Sequence, residues 1–491
     1  MAVDLPTPPI GGAERTFLYQ RVRSHIEQLL AASELPALRA LPSSRFLAST
    51  LGVSRNTVNA AYDELIALGL VESRPRSGLY PTVIAREFAA RTHDTAVTTA
   101  QTEAAPVGWE ERMRRPQTPL DPPATHPDWT AFPFPFLPGQ PETARFPARA
   151  WSRASSEALY GAHLPFSIRD SSDLDDPLLV EMIRTEILAP RGVIADQSTI
   201  LVTSGAQEAL SLIADLAFGH DVTVALEDPG YRDAAHIVAE SGATILPIPV
   251  DEQGARVPPA ARCDYLYLTP SHQHPTSVTL SYPRRLEILR RAAEEDFIVI
   301  EDDYDSEVRY RGRPTPPLKS LDTDGRVVYV GTFSKFVAPG IRLGFVVASP
   351  EFVSRLRRRR RYASRHPSGH SQRALALFIQ SGDYHRALRR HRNHLRAKWE
   401  TLTDALLAEL PWPLSAPAGG MSIWVTGDAG FDGTAAAAAA ARRGVLVDPG
   451  AAFHLGEDPP RGSLRVGFNA IPLEAIRPGV RILGEVIRAQ Q

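Results

Sequence analysis

Residues 41–80 read LPSSRFLASTLGVSRNTVNAAYDELIALGLVESRPRSGLY, and the architecture of the N-terminal part of the chain follows from them. After Pro42, Ser43 or Ser44 is placed to cap a helix carrying Phe46 and Leu47, because a serine oxygen accepts from the first free backbone N–H groups. Leu51-Gly52-Val53 makes a tight turn, and Ser54 caps the next helix. There Val58, Ala61, Tyr62, Leu65 and Ile66 recur at helical spacing and are expected to face inward. Arg55, Asn56, Thr57 and Asn59 are left near the exposed start of that helix. Gly69 to Glu72 reads as a strand, Arg74 to Gly78 as a turn, and Leu79-Tyr80 as a return strand. Upstream, Leu18, Val22, Ile26, Leu29 and Leu30 give one further amphipathic helix.

Helix, glycine turn, capped helix with a polar start, then a hairpin, is the order of a winged helix-turn-helix, whose second helix enters the major groove. A purely structural three-helix domain has the same periodicity. Charge does not separate the two, since residues 1–85 hold eight arginines against seven acids.

The whole chain gives little more at the level of composition. Its 491 residues are enough for two or three domains with a large core. With a net charge of −2, any nucleic-acid contact must be local. Cys263 stands alone, which excludes an intrachain disulfide and a cysteine-rich zinc site. The start MAVDLPTPPIGG lacks a basic and apolar leader, and no apolar run approaches membrane-spanning length, so a cytoplasmic protein without membrane contact is expected. Of 54 basic residues only Lys319, Lys335 and Lys398 are lysines. Any chemistry that needs a lysine amine has three candidates.

Composition divides the chain into a first domain at 12–85, a Thr-, Ala- and Pro-rich linker at 86–130, and a large domain at 131–491. In the last block TILVTS, VTVALED, DYLYLTP, FIVIEDD, VVYVGTF and LGFVVAS alternate with helical stretches. Short apolar β-rich runs between helices predict an α/β fold, a mainly parallel sheet covered on both faces. Ligands of such sheets bind at the C-terminal strand ends. Ser204-Gly205-Ala206 ends one strand and opens a helix whose free N–H groups suit a phosphate. Glu301-Asp302-Asp303-Tyr304 places acids at the end of another, as caps, as metal ligands or as partners of a ring nitrogen. No matching histidine cluster accompanies them, and no metal is expected. Val327 to Lys335 ends a third strand in Thr332, Ser334 and Lys335, with Arg342 following. Hydroxyls and a cation suit a phosphate, and a lysine held neutral suits a Schiff base.

Residues 41–80 closely resemble the GntR-type winged helix nearly throughout. That resemblance implies contacts to double-stranded DNA from Arg45, Ser54, Arg55 and Thr57, with Arg76 and Gly78 of the wing near the minor groove. The large domain resembles fold-type I aminotransferases, and the two together resemble MocR/GabR-type regulators over almost the whole chain outside the linker. The likeness implies pyridoxal phosphate as cofactor, in Schiff-base linkage to Lys335. Asp302 would pair with the pyridine nitrogen, and Tyr304 would contact the ring oxygen. Tyr231 would stack on the ring, and His274 would lie at the cofactor. Ser204, Gly205, Ala206, Ser334 and Arg342 would surround the phosphate. Arg465 would bind the carboxylate of an amino-acid effector. A homodimer is implied as well.

Three stretches depart from the pattern or stand out from it. Thr269-Pro-Ser-His-Gln-His-Pro-Thr-Ser277 replaces the usual Asn and Gly of the enzymes with His274 and Ser277. Arg169-Asp-Ser-Ser-Asp-Leu-Asp-Asp176 has no tyrosine where the family usually supplies one to the cofactor phosphate. Residues 355–399 hold thirteen arginines, one lysine and one acid, read either as internally paired charge or as a second contact to the DNA backbone. The expected function is a transcription regulator sensing pyridoxal phosphate or an amino-group ligand. An aminotransferase with an accessory DNA reader is the alternative.

Overall fold

The computed structural model describes residues 18–31, 40–75, 77–85, 126, 128–305, 307–313 and 315–490, in two units, Met1–Arg115 and Pro116–Gln491. Most of the expected linker at 86–130, and Arg76 of the wing, lie outside the described residues.

In the first unit α1 (Leu18–Ala31), α2 (Ser44–Leu51) and α3 (Arg55–Ala67) pack on β1 (Val71–Arg74) and β2 (Gly78–Pro81). Ser43 caps α2, accepting from the Phe46 N–H at 3.3 Å. Gly52 ends that helix at φ 65°, a left-handed conformation that a side chain would strain. Ser54 caps α3 through the Thr57 N–H at 3.1 Å. Val22, Ile26, Leu47, Val58, Ala61, Tyr62 and Leu65 form the core. Ile66, expected inside, is 38 % exposed. Eight residues beyond Val58 the helix has turned about 80° past a whole number of turns, whereas Leu65, at seven, stays within about 20° of it. Leu18 is likewise exposed, so the buried stripe of α1 begins at Val22. β1 and β2 pair antiparallel, Glu72 opposite Tyr80, as the wing hairpin.

The second unit is built on an eight-stranded sheet. Its strands are β4 (Ile200–Thr203), β5 (Thr223–Asp228), β6 (Thr244–Asp251), β7 (Gly254–Ala255), β8 (Tyr265–Leu268), β9 (Ile298–Asp303), β10 (Val327–Thr332) and β11 (Gly344–Val347). The order is β4-β11-β10-β9-β8-β5-β6-β7, parallel from β10 through β6 and antiparallel where β11, β4 and β7 join. All six runs singled out in the sequence are strands of this sheet. β6 and β7 were not among them. β6 carries Pro247 and Pro249; it pairs with β5 from Thr244 to Pro249, while β7 meets it only at Val250 and Asp251, with the Arg256 N–H donating to the Pro249 carbonyl just beyond.

A smaller domain layer consists of β12 (Ser422–Thr426), β14 (Asp448–Pro449) and β15 (Ser463–Gly467), with β3 (Phe134–Pro135) pairing β13 (Val445–Leu446) beside it. Trp399, Leu402, Ile423, Val466, Phe468 and Leu483 pack beneath it.

The two unusual charged stretches meet one another. Asp175 accepts from Arg357 and Arg360 at 2.6 Å each, and Asp176 from Arg373 at 2.8 Å. Arg361 pairs with Asp173, Arg365 with Asp170 and Arg359 with Asp215. The arginine run is thus engaged by carboxylates of its own unit at these positions, which favours the first of its two readings, internal pairing, over the second contact to DNA. Arg360 and Asp175 are buried. Removing one partner of such a pair strands the other charge. Asp175→Ala should therefore cost about 3–5 kcal/mol in denaturant unfolding. Asp170→Ala, which breaks an exposed pair, should leave the unfolding midpoint nearly unchanged. Equal effects of the two substitutions would contradict this assignment.

Candidate functional site

In the first unit the exposed residues at the start of α3 lie beside the start of α2. Arg55 donates from Nε to the Ser44 hydroxyl at 3.3 Å, next to exposed Arg45. The Ser54 and Thr57 hydroxyls are 2.8 Å apart, and Ser54 also caps the helix, so its oxygen is already bonded within the protein. Gly78 opens the return strand of the wing at φ 112°, reserved in practice for glycine. Arg45, Ser54, Arg55, Thr57 and Gly78 are thus present on capped, packed elements; Arg76 is the one expected contact outside the described residues.

In the second unit the parallel strands converge on a cavity of about 160 Å³ at their C-terminal ends. β9 and β10 lie in register with Asp302 opposite Val330, so the chain leaving β10 carries Lys335 into the same cavity as Asp302. The Ser334 N–H donates to Thr332 Oγ1 at 3.1 Å and shapes the turn between strand and lysine. Burial is the main cause that lowers the Lys335 ammonium below the usual lysine range; Arg465 adds to it and the nearby acids oppose it. Neither of the other lysines offers a comparable amine. Lys319 donates to Asp322 and to the Val327 carbonyl, and Lys398 is held by Glu142 and the Asn469 carbonyl.

Asp302 is buried. Its Oδ2 accepts from the Tyr267 hydroxyl at 2.8 Å, while Oδ1 has no partner. Burial raises its carboxyl to about 7, against the pull of Tyr267 and Lys335. An acceptor left open in a dry wall suits a protonated ring nitrogen. The Ser334 hydroxyl is also buried without a partner. Arg342 turns its guanidinium onto Gly205, where a Cβ would stand 3.1 Å from Nη2, and Gly205 itself has φ 91°. Guanidinium, hydroxyl and the start of the helix Ala206–Ala217 together suit a phosphate. Tyr231 and Tyr304 stand in the wall, Tyr231 donating to Gln207 Oε1 at 3.0 Å. Ring nitrogen, aldehyde and phosphate of pyridoxal phosphate each find a matching group here.

Two expected residues are placed differently. Ser204 does not line the cavity; its backbone N–H donates to Glu208, whose other oxygen holds Ser364. Of the other residues expected around a phosphate, Ala206, Ser334 and Arg342 line the cavity, and Gly205 lies against the Arg342 guanidinium. Arg465 is not open to an effector either. Its Nε and Nη2 donate to Asp448 at 3.0 and 2.8 Å, and its Nη1 donates to His274 Nε2 at 2.8 Å. Gln207, Tyr267, Thr269 and Pro339 line the cavity without having been given a role from the sequence. Tyr267 had a readable signal: it lies two residues before Thr269, on a strand in which tyrosine and leucine alternate from Tyr265 to Leu268.

Comparison with known proteins places both units. Residues 183–483 match the model for aminotransferase class I and II, and residues 18–80 that for bacterial regulatory proteins of the gntR family. The HTH-type transcriptional regulator TauR of Rhodobacter capsulatus is 34% identical over 475 residues, 96% of each chain. The probable rhizopine catabolism regulatory protein MocR of Rhizobium meliloti is 35% identical over 384 residues, 76% of this chain and 73% of that one. Among solved structures, kynurenine aminotransferase of Pyrococcus horikoshii superposes with a TM-score of 0.68 at 27% identity, over 72% of this chain and 90% of that one.

The raised carboxyl gives a pH test. Asp302 keeps its proton in the folded chain over a range where the unfolded chain has lost it, since its ordinary value is 3.8. Its stabilising contribution is full below that value and disappears as pH rises toward 7. In cofactor-free protein, Asp302→Asn should flatten the fall in melting temperature between about pH 4 and 7. An unchanged slope would show that the carboxyl titrates normally.

Proposed function

Because the chain belongs to the gntR-family regulators of MocR/GabR type, a winged helix joined to an aminotransferase class I and II domain, we propose that its large unit binds pyridoxal phosphate and reports an amino-group ligand, or the cofactor itself, to the DNA reader. The chain is a DNA-binding transcription regulator. The observation that carries the sensing half is the unpartnered Asp302 Oδ1 in the cavity that also holds Lys335.

When bound, the cofactor supplies an aldehyde that captures primary amines. Asp302 would hold the proton of the ring nitrogen, and Tyr267 keeps its carboxylate oriented toward it. Lys335, favoured in its neutral form, would provide the resident amine. Arg342, Ser334 and the Gly205-Ala206 backbone would fix the phosphate, while Tyr304 would contact the ring oxygen and Tyr231 its face. A ligand alters DNA affinity only by binding one arrangement of the protein better than another.

A homodimer, acting in the cytoplasm, completes the reading. Tyr160, Ile168, Leu174 and Tyr362 are exposed on segments that the Asp173–Arg361 and Asp170–Arg365 pairs hold together. A second copy of the chain would cover them and bring two readers to paired half-sites. The 170–176 stretch has its acids engaged with arginine and no hydroxyl of tyrosine to offer a phosphate, which favours sensing over turnover.

The halves can be tested separately. Lys335→Ala should abolish the visible absorption band that pyridoxal phosphate gives with the wild type, and should leave basal operator binding in place. Arg55→Ala should keep the band and weaken operator binding by about 1–3 kcal/mol. A band that survives Lys335→Ala, or multiple transamination turnovers at enzyme rates, would sink the sensing reading.

A further inference from the structure

Arg465 on β15 stands directly across from Asp448 on β14. A single oxygen of Asp448 receives both Nε and Nη2, Nη1 goes to His274, and the guanidinium lies 4.3 Å over the Phe453 ring. All three nitrogens therefore have partners within the protein. The pair is nearly enclosed, with the two side chains 12 % and 11 % exposed, and His126 flanks the second oxygen of Asp448 at 3.5 Å. An arginine open to a cavity would take an acidic ligand through its fork of donors. This fork already holds a carboxylate. A ligand anion could replace Asp448 only by leaving that acid unpaired where little water reaches it. Sitting beside Asp448, the anion would share one guanidinium with a like charge.

What meets the cavity instead is His274. Arg465 can only donate, so His274 Nε2 accepts, and the neutral ring carries its hydrogen on Nδ1. That Nδ1 is buried and has no partner. The ring lines the cavity with Tyr231 at 5.2 Å and Tyr304 at 6.1 Å. Burial, with the charges of Arg465 and Lys335, keeps the imidazole well below its usual titration range. The wall at this end thus presents a neutral imidazole, with the Gly230 backbone beside it, backed by an internally balanced ion pair.

We infer that this cavity selects a primary amine whose remaining end is uncharged, and that Asp448, by occupying Arg465, is the residue that excludes acidic amines. The inference rests on the reading of the cavity as a cofactor and amine site. Three straight five-carbon amines separate the cases: aminopentanoate, aminopentanol and diaminopentane. Each is titrated by calorimetry into the full-length wild type, Asp448→Asn and Asp448→Ala, with and without pyridoxal phosphate, and the visible band is followed in parallel. The wild type should bind the alcohol at least about tenfold more tightly than either the acid or the diamine. Both variants should gain at least about tenfold for the acid, with melting temperatures showing that they fold. Asp448→Asn keeps the shape of the side chain and decides the question if Asp448→Ala is unstable. Equal binding of acid and alcohol by the wild type, no gain for the acid in Asp448→Asn, or no heat with any of the three would overturn the inference. Failure of the cofactor reading looks different: no band forms in the wild type, while the calorimetric order of the amines still decides the role of Asp448.

Discussion

One edge of the large sheet is held by charge rather than by another strand. β4 pairs with β11 on one side. Elsewhere its backbone is met by Asp175, which accepts the Val202 N–H, and by Arg357 and Arg360, which donate to the Ile200 and Val202 carbonyls. An exposed edge would invite another chain. An acid shared by two arginines closes it, and fixes where β4 ends. That end delivers Gly205 and the start of the next helix to the cavity, against Arg342. The placement of that strand end thus rests on an ion pair contributed by the helix Pro350–Ala363 and the loop before residue 177.

Desolvation does the rest. Neighbouring parallel strands bring Asp302 and Lys335 into one dry space, where burial favours the neutral form of each. The same burial makes an unpartnered oxygen informative. At the surface Asp302 Oδ1 would be hydrated; in this wall it calls for a donor from outside the protein. Arg465 shows the opposite case, an expected ligand contact whose donors are all engaged.

Much of this was legible in the sequence because it is local. Capping serines, the glycine of the turn, six buried strands and the lysine after β10 all announce themselves within a few residues. What escaped depends on partners far along the chain. Asp448 and Arg465 are opposed only by the register of two strands, which no local pattern states. The acids of 170–176 and the arginines beyond 355 looked like separate anomalies until folding set them against each other. Ile66 escaped for a different reason: helical spacing leaves a margin of one residue at the edge of a buried stripe, and packing chooses Leu65. The prolines of β6 hid a strand whose partner on one side is brief.

The scarcity of lysine has a consequence for chemical selectivity. Aldehydes condense with amines wherever they find them, and an ordinary lysine-rich surface is a field of competing targets. In this chain Lys319 and Lys398 are tied to acids and carbonyls, while Lys335 lines the cavity beside Asp302. Arginine supplies the positive charge everywhere else without offering a nucleophile. With only three lysines in the chain, most of the competition that an aldehyde would meet on such a surface is removed by composition before geometry enters.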